Sequence, residues 1–432
     1  MSWIQGSLDV FTHETELKSD ADNSSTFVGN MKRPVHRWFR YAAGFSSEWV
    51  KQVIKGYNKD YQATVFDPFV GSGTTVLAAQ ECGVNAIGIE SHPFIIRVAK
   101  AKLLWKENIK HFSDFSEEII RLAKRQKGET QGYSRLIYDC YPEDVLRDLD
   151  SLRNAWLEIN DESPSSFLCW LALTKILREC SPVGTSQMEL IQPRKKKQNA
   201  SKPFPAFIEQ VSTMLKDMAF FQRKYATQPA EVHSDDARMC NLIPDDSISL
   251  VITSPPYINN YDYADACRLE MTFWGEIDSW GDLQEKVRRH LIRSCAQHMS
   301  YQKQQLDQLL DAKRLSPIID DLSRVCTYLS AERLKHGGKK NYHLMTAAYF
   351  LDMVEVWSAL RRVCRQPSRI CFVVGDSAPY GIYVPVHEWL GRLSLAAGFR
   401  SYNFERLRDR NIKWHNRKHR VPLCEGRLWV DG

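Results

Sequence analysis

Residues 63–90 read ATVFDPFVGSGTTVLAAQECGVNAIGIE, and the order of apolar and turn-forming residues in this stretch decides the fold. Thr64–Phe66 is a short β-rich apolar run, Asp67–Gly73 has the composition of a turn, and a helix is predicted from Thr74 to about Glu81. Gly83 stops that helix and Ala86–Ile89 forms a second strand. Strand, helix and strand in so few residues make a βαβ crossover, whose two strands run parallel. Gly71 and Gly73 let the backbone turn sharply and approach a ligand that a Cβ would obstruct. A dinucleotide fingerprint needs Gly or Ala where Val76 stands, and a phosphate loop needs a Lys after Gly73, so both phosphate readings weaken. Glu90 directly follows the second strand, where a carboxylate accepts hydrogen bonds from two ribose hydroxyls. The pair points to a nucleoside ligand without phosphates.

Outward from this unit, a helix is predicted over Pro93–Trp105, and residues 106–229 show helical periodicity around Phe115–Leu122, Phe167–Leu177 and Phe207–Phe221. Pro164, Pro182 and the basic run Arg194–Lys197 break it, which reads as a helical insertion. Strands return at Ala230–His233 and Ser249–Thr253, with Asp235, Asp236 and a Pro244–Asp246 turn between them. A second insertion, 276–343, is expected to carry long polar helices and ends in the basic stretch Arg333–Lys340. Beyond it come a helix over Met345–Cys364, a strand over Arg369–Gly375, a helix over Pro385–Ala397 stopped by Gly398, and strands over Arg400–Glu405 and Gly426–Val430. Strands alternating with helices give an open α/β sheet, here split into segments 31–105, 230–275 and 344–432. Residues 1–30 are polar and read as a flexible arm.

With 43% hydrophobic and 25% charged residues among 432, the chain is ordinary for a globular protein, which excludes disordered and fibrous classes. No apolar run approaches the roughly 20 residues of a membrane span, and Met1–Val10 lacks a basic stretch followed by an apolar one, so a cytoplasmic location is expected. Eleven cysteines are scattered from Cys82 to Cys424 without a Cys-x-x-Cys pair, so reduced thiols and no metal are expected. The net charge of +6 permits a nucleic-acid partner without demanding one.

Directly after the strand at Ser249–Thr253 stand Ser254, Pro255, Pro256 and Tyr257. Two prolines fix φ and remove two amide donors, which leaves nearby carbonyls free to accept hydrogen bonds from elsewhere. A side-chain oxygen from Ser254 beside such a carbonyl suits an exocyclic amine, and Tyr257 offers a face on which a base stacks.

Asp-Pro-Phe-x-Gly-x-Gly-Thr-Thr followed by Thr-Ser-Pro-Pro-Tyr resembles the S-adenosylmethionine-dependent amino methyltransferases of DNA, which modify cytosine N4 or adenine N6. The resemblance extends to Ser234–Ala237, His36–Phe45, Asn260–Gly275 and Arg420–Glu425, roughly half of the chain. It implies a Rossmann-like class I methyltransferase sheet with helical insertions, and S-adenosyl-L-methionine as cofactor. Asp67, Gly71 and Gly73 would line its methionine half, with Phe69 and Thr74 also cofactor-binding, Glu90 its ribose, Asp236 or its rival Asp235 the adenine amine, and Phe45 would pack against it. Ser254, Pro255, Pro256 and Tyr257 would be the catalytic turn, acting on a base extruded from double-stranded DNA. Ser at the first motif position favours cytosine N4, with adenine N6, an RNA base and a catalytically silent DNA-binding subunit as alternatives. A cognate restriction endonuclease is the partner such a role brings. Candidate DNA contacts are the 106–229 and 276–343 insertions and the basic residues between Arg400 and Arg427, among them Arg406, Arg408, Arg410 and Lys413.

Overall fold

The computed structural model describes residues 27–41, 44–57, 63–185, 191–197, 199–226, 228–300, 305–338, 340–410 and 422–432. Its strands are β1 (Thr64–Asp67), β2 (Asn85–Glu90), β3 (Val183–Thr185), β4 (Ile191–Lys196), β5 (Ala230–Ser234), β6 (Ile248–Thr253), β7 (Cys364–Gly375), β8 (Ser401–Arg410) and β9 (Leu423–Asp431). Seven of them form one sheet in the order β5-β2-β1-β6-β7-β9-β8. Neighbours from β5 to β7 pair in parallel, whereas β9 runs antiparallel to both β7 and β8. This is an α/β, Rossmann-like sheet with helical insertions, as the sequence implies. All six residues of β6 are buried, as expected of a central parallel strand covered on both faces.

The crossover that opens the sheet forms where the sequence places it. The helix Thr74–Glu81 is buried over almost its whole surface, and Gly73, at φ 90°, occupies its N-cap in the left-handed region. Gly88 on β2, which sequence reading passes over, is needed for packing. A Cβ there would stand 2.5 Å from Val70 Cγ2, so the turn lies directly on the strand. On the other side of β1, the helix Tyr342–Val363 covers the sheet and stacks Trp357 on Phe372 of β7, with centroids 4.6 Å apart.

The described residues divide into two compact units. One draws on 1–52, 98–227 and 269–276, the other on 53–97, 228–268 and 277–432, and the second holds the whole seven-stranded sheet. The first unit contains the helices Ile109–Ala123, Arg135–Cys140, Glu143–Ile159, Pro164–Cys180 and Pro203–Lys224 and an antiparallel hairpin of β3 and β4. Glu143–Ile159 is absent from the sequence reading because its many charged residues dilute the stripe of Leu146, Leu149, Leu152 and Ala155. The basic run taken for a helix break lies largely within β4. Lys197 donates to the carbonyls of Arg178 (2.5 Å) and Glu179 (3.3 Å), so this lysine serves the fold.

The expected arm of residues 1–30 lies mostly outside the described residues. Its end is ordered: Phe27–Lys32 forms a 3-10 helix, and buried Asn30 bonds the Phe45 carbonyl and the Ser47 amide, each at 2.9 Å. Among the described residues, the long polar helices expected in 276–343 reduce to one, Ile319–Lys335; Trp280–Lys286 and Leu306–Leu310 are short. Among the described residues no helix is long and apolar enough to cross a membrane.

Candidate active site

From β1 the chain moves through β2 to β5 on one side, and from β6 through β7 toward β9 on the other. Strand order therefore reverses between β1 and β6, and the loops leaving their carboxyl ends open a crevice. The glycine turn leaves β1 there, and the Ser-Pro-Pro-Tyr turn leaves β6.

Asp67 joins the two turns. One carboxylate oxygen accepts from the Phe69 amide (3.0 Å) and the Thr253 hydroxyl (2.5 Å), and the other from the Thr75 hydroxyl (2.6 Å). Burial pushes this carboxyl up to about 6, against the hydrogen bonds from Thr253, Thr75 and Phe69. Asp67 thus fixes the turn, the first helical turn and the end of β6 to one another. Thr75 and Thr253, quoted in the motifs without a role, are its partners.

Gly71, at φ 52°, and Gly73 carry the turn, which is closed by the Val70 amide on the Ile89 carbonyl (3.0 Å) and the Gly73 amide on the Val70 carbonyl (2.9 Å). Thr74 is buried, and Phe69 is half-buried against the core. Glu90 accepts from the Gly71 amide (3.0 Å) and the His92 amide (2.9 Å), which places its half-buried carboxyl beside the turn. Burial pushes it up to about 7, opposed by those amides. His92, which sequence reading missed, caps the next helix by accepting on Nδ1 from the Phe94 (3.2 Å) and Ile95 (3.4 Å) amides; its buried Nε2 has no hydrogen-bond partner among the described residues.

After β5, Asp235 accepts from the amides of Asp236 (2.8 Å) and Leu242 (2.9 Å), closing its own turn. Asp236 is held by Arg238, whose Nη2 lies 2.5 Å from it. The Asp pair is thus divided between a backbone role and an ion pair.

At the end of β6, Ser254 donates its hydroxyl proton to the Val373 carbonyl of β7 (3.2 Å). The same hydroxyl also interacts with the Tyr257 phenol, and its lone pairs can accept from a further donor. Pro255 is buried and Pro256 half-buried. The Tyr257 amide donates to the Tyr263 hydroxyl (3.0 Å), and the Arg410 guanidinium lies 5.1 Å from the Tyr257 ring centroid. Arg410 also donates to the Asp376 carbonyl (2.6 Å) and to Asn260 Oδ1 (2.9 Å), in space that Gly375 leaves by lacking a Cβ. Nothing local in the sequence ties Tyr263 or Arg410 to Tyr257: Arg410, singled out above only as one of the basic carboxyl-terminal residues, lies 153 positions after Tyr257 and reaches it only through the sheet. The Tyr257 phenol is held far above its usual range by burial, with Arg410 among the opposing influences.

The sheet unit thus brings together Asp67, Gly71, Gly73, Glu90, Ser254 and Tyr257 at the ends of three adjacent strands. Phe45 belongs to the other unit, where its ring meets Trp49 edge-on at 5.6 Å. Of the basic carboxyl-terminal residues, Arg406 pairs with Asp409 and Arg408 with Glu425. Residues 413–420 lie outside the described residues.

The family described as DNA methylase, covering N6 and N4 enzymes, matches residues 7–101. The Type II methyltransferase M.BsoBI of Geobacillus stearothermophilus is 24% identical over 428 residues, covering 89% of this chain and 82% of that protein. The Type II methyltransferase M.AvaI of Anabaena variabilis is 25% identical over 407 residues, covering 87% and 81%. The Type II methyltransferase M.MjaII of Methanocaldococcus jannaschii is 36% identical over a shorter stretch of 89 residues, 20% of this chain. The chain is related to the amino DNA methyltransferases of the N4/N6 family.

Proposed function

We propose that this chain is a Type II, site-specific DNA methyltransferase that modifies the exocyclic N4 amine of cytosine. The observation that carries the reading is Asp67, which binds the glycine turn and the Ser-Pro-Pro-Tyr turn into one rigid pair at the strand-order reversal. S-adenosylmethionine fits the first turn. The half-buried Glu90 suits a ribose diol, the Thr74–Glu81 helix begins without a side-chain cap and so offers amides to a carboxylate, and no lysine serves a phosphate. Phe69, Asp235 and Asp236 complete the proposed cofactor set within the sheet unit. When bound, that group supplies an electrophilic methyl on a sulfonium.

The chain's own residues prepare the acceptor. An exocyclic amine is conjugated with its ring and weakly nucleophilic, and acceptors on its hydrogens draw it toward a pyramidal shape. Ser254 Oγ, its proton committed to Val373, is such an acceptor, and the rigid Pro255-Pro256 segment keeps a main-chain carbonyl beside it. A paired base must leave the helix to reach this turn, which costs a few kcal/mol and is offset by stacking on Tyr257. Ser in place of Asp or Asn at the first position favours cytosine. We assign DNA contacts to the 106–229 and 276–343 segments, and a cognate restriction endonuclease as the partner activity. Radiolabelled methyl transfer to duplex DNA and to tRNA tests the class of substrate: label in duplex DNA alone is expected, and label in tRNA alone would overturn the reading.

A further inference from the structure

Three elements of the sheet unit end at a second cluster of chemically capable side chains. Asp376 follows β7, His387 lies in the first turn of the helix Val386–Ala396, and Cys424 is the second residue of β9. One Asp376 oxygen lies 2.9 Å from His387 Nδ1 and the other 3.1 Å from Cys424 Sγ. The three candidate donor atoms all fall within 4.8 Å of one another, the only such gathering of His, Cys, Asp and Glu among the described residues.

The surroundings hold these donors in place. The Tyr383 hydroxyl (2.8 Å) and the Val386 amide (3.2 Å) donate to the Asp376 carboxylate. Phe404 stacks on the His387 ring at 3.9 Å, and the Asp376 amide donates to the Cys424 carbonyl at 3.0 Å. Outer partners of this kind orient ligands around metal ions. A thiol ligates a cation as its thiolate, so its proton leaves on binding. The side chains aim an imidazole and a thiol at one carboxylate, leaving protons where a cation would draw all three together.

We propose that Asp376, His387 and Cys424 bind one divalent ion of the zinc class, with water in the fourth position. Nitrogen, sulfur and oxygen together match the donors zinc accepts, at about 2.0–2.3 Å each. Tetrahedral donors at those lengths stand about 3.3–3.7 Å apart; with one Asp376 oxygen as donor, the three donor atoms, now all within 4.8 Å of one another, adjust by about an ångström or less. On binding, the thiol proton is released, and the imidazole proton moves from Nδ1 to Nε2, giving one proton lost per ion. The ion ties the end of β7 to the following helix and to β9. This site is independent of the methyl-transfer reading.

The test uses the full chain, stripped with a chelator and titrated with Zn²⁺ by calorimetry and with Co²⁺ by absorption. One equivalent of Zn²⁺ with release of about one proton is expected, together with a thiolate-to-cobalt charge-transfer band. Cys424→Ser abolishes that band, and Tyr383→Phe, which removes an outer partner, weakens Zn²⁺ binding by about 10–100-fold. His387→Gln, at a half-buried ring, serves where Cys424→Ser does not fold, and weakens Zn²⁺ binding more than Tyr383→Phe. Absence of Zn²⁺ binding, or binding of equal affinity in Cys424→Ser and His387→Gln, overturns the site.

Discussion

Asp67 and Glu90 are both carboxyls raised by burial, yet their partners give them different work. Asp67 spends both oxygens on hydroxyls and an amide that hold the fold, whereas Glu90 keeps a half-buried carboxyl beside the glycine turn. Glu90 rises from 4.5 to about 7 in the folded chain. Between those values the unfolded chain has lost a proton that the folded chain keeps, so stability present below pH 4.5 is lost as pH rises toward 7. Cofactor affinity runs the other way, because ribose hydroxyls donate to the ionised form. Calorimetry at pH 6 and pH 8 is expected to show tighter S-adenosylmethionine binding at the higher pH, and Glu90→Gln to remove the difference. Ser254→Ala, losing one acceptor, is expected to slow transfer about tenfold to a hundredfold with cofactor affinity unchanged. Arg410→Ala is expected to lower kcat on duplex DNA by about tenfold, equivalent to about 1.4 kcal/mol in the barrier. Arg410→Lys does not restore it, since a point charge cannot span the Tyr257 ring, the Asp376 carbonyl and Asn260. Kinetics with saturating cofactor check both.

At the scale of elements, the crossover was readable because its signals are local: an apolar strand, glycines at positive φ, and an apolar helix stopped by Gly83. What escaped reading depends on distant partners. The β3–β4 hairpin hides in a basic run, and Gly88 matters only because Val70 folds back over it. Buried Asp217 shows the same limit. From the helix Pro203–Lys224 it accepts from the Val35 amide and Trp38 Nε1, each at 3.0 Å, and pairs with Arg37 at 2.5 Å. It thereby holds Val35 at φ 62°, a strained value for a β-branched residue. Asp217→Ala leaves four donors on three residues without an acceptor and is expected to destabilise the chain by about 3 kcal/mol, read from denaturant unfolding; Arg37 is partly exposed, which keeps the figure at the lower end for buried pairs.

Across the whole molecule, the order of seven strands places one reversal between β1 and β6, and both turns that the sequence singles out leave the sheet there. Cytosine methylation at that place would leave its mark in the DNA of the cell. The most direct measurement is a base-resolution map of modified bases in genomic DNA from a host expressing the chain, beside the same host expressing Ser254→Ala/Tyr257→Ala. N4-methylcytosine in one fixed sequence context, lost with the double substitution while the protein still folds and binds S-adenosylmethionine, is the predicted result. An unmodified genome, N6-methyladenine in its place, or an unchanged methylation rate in the double variant would contradict it.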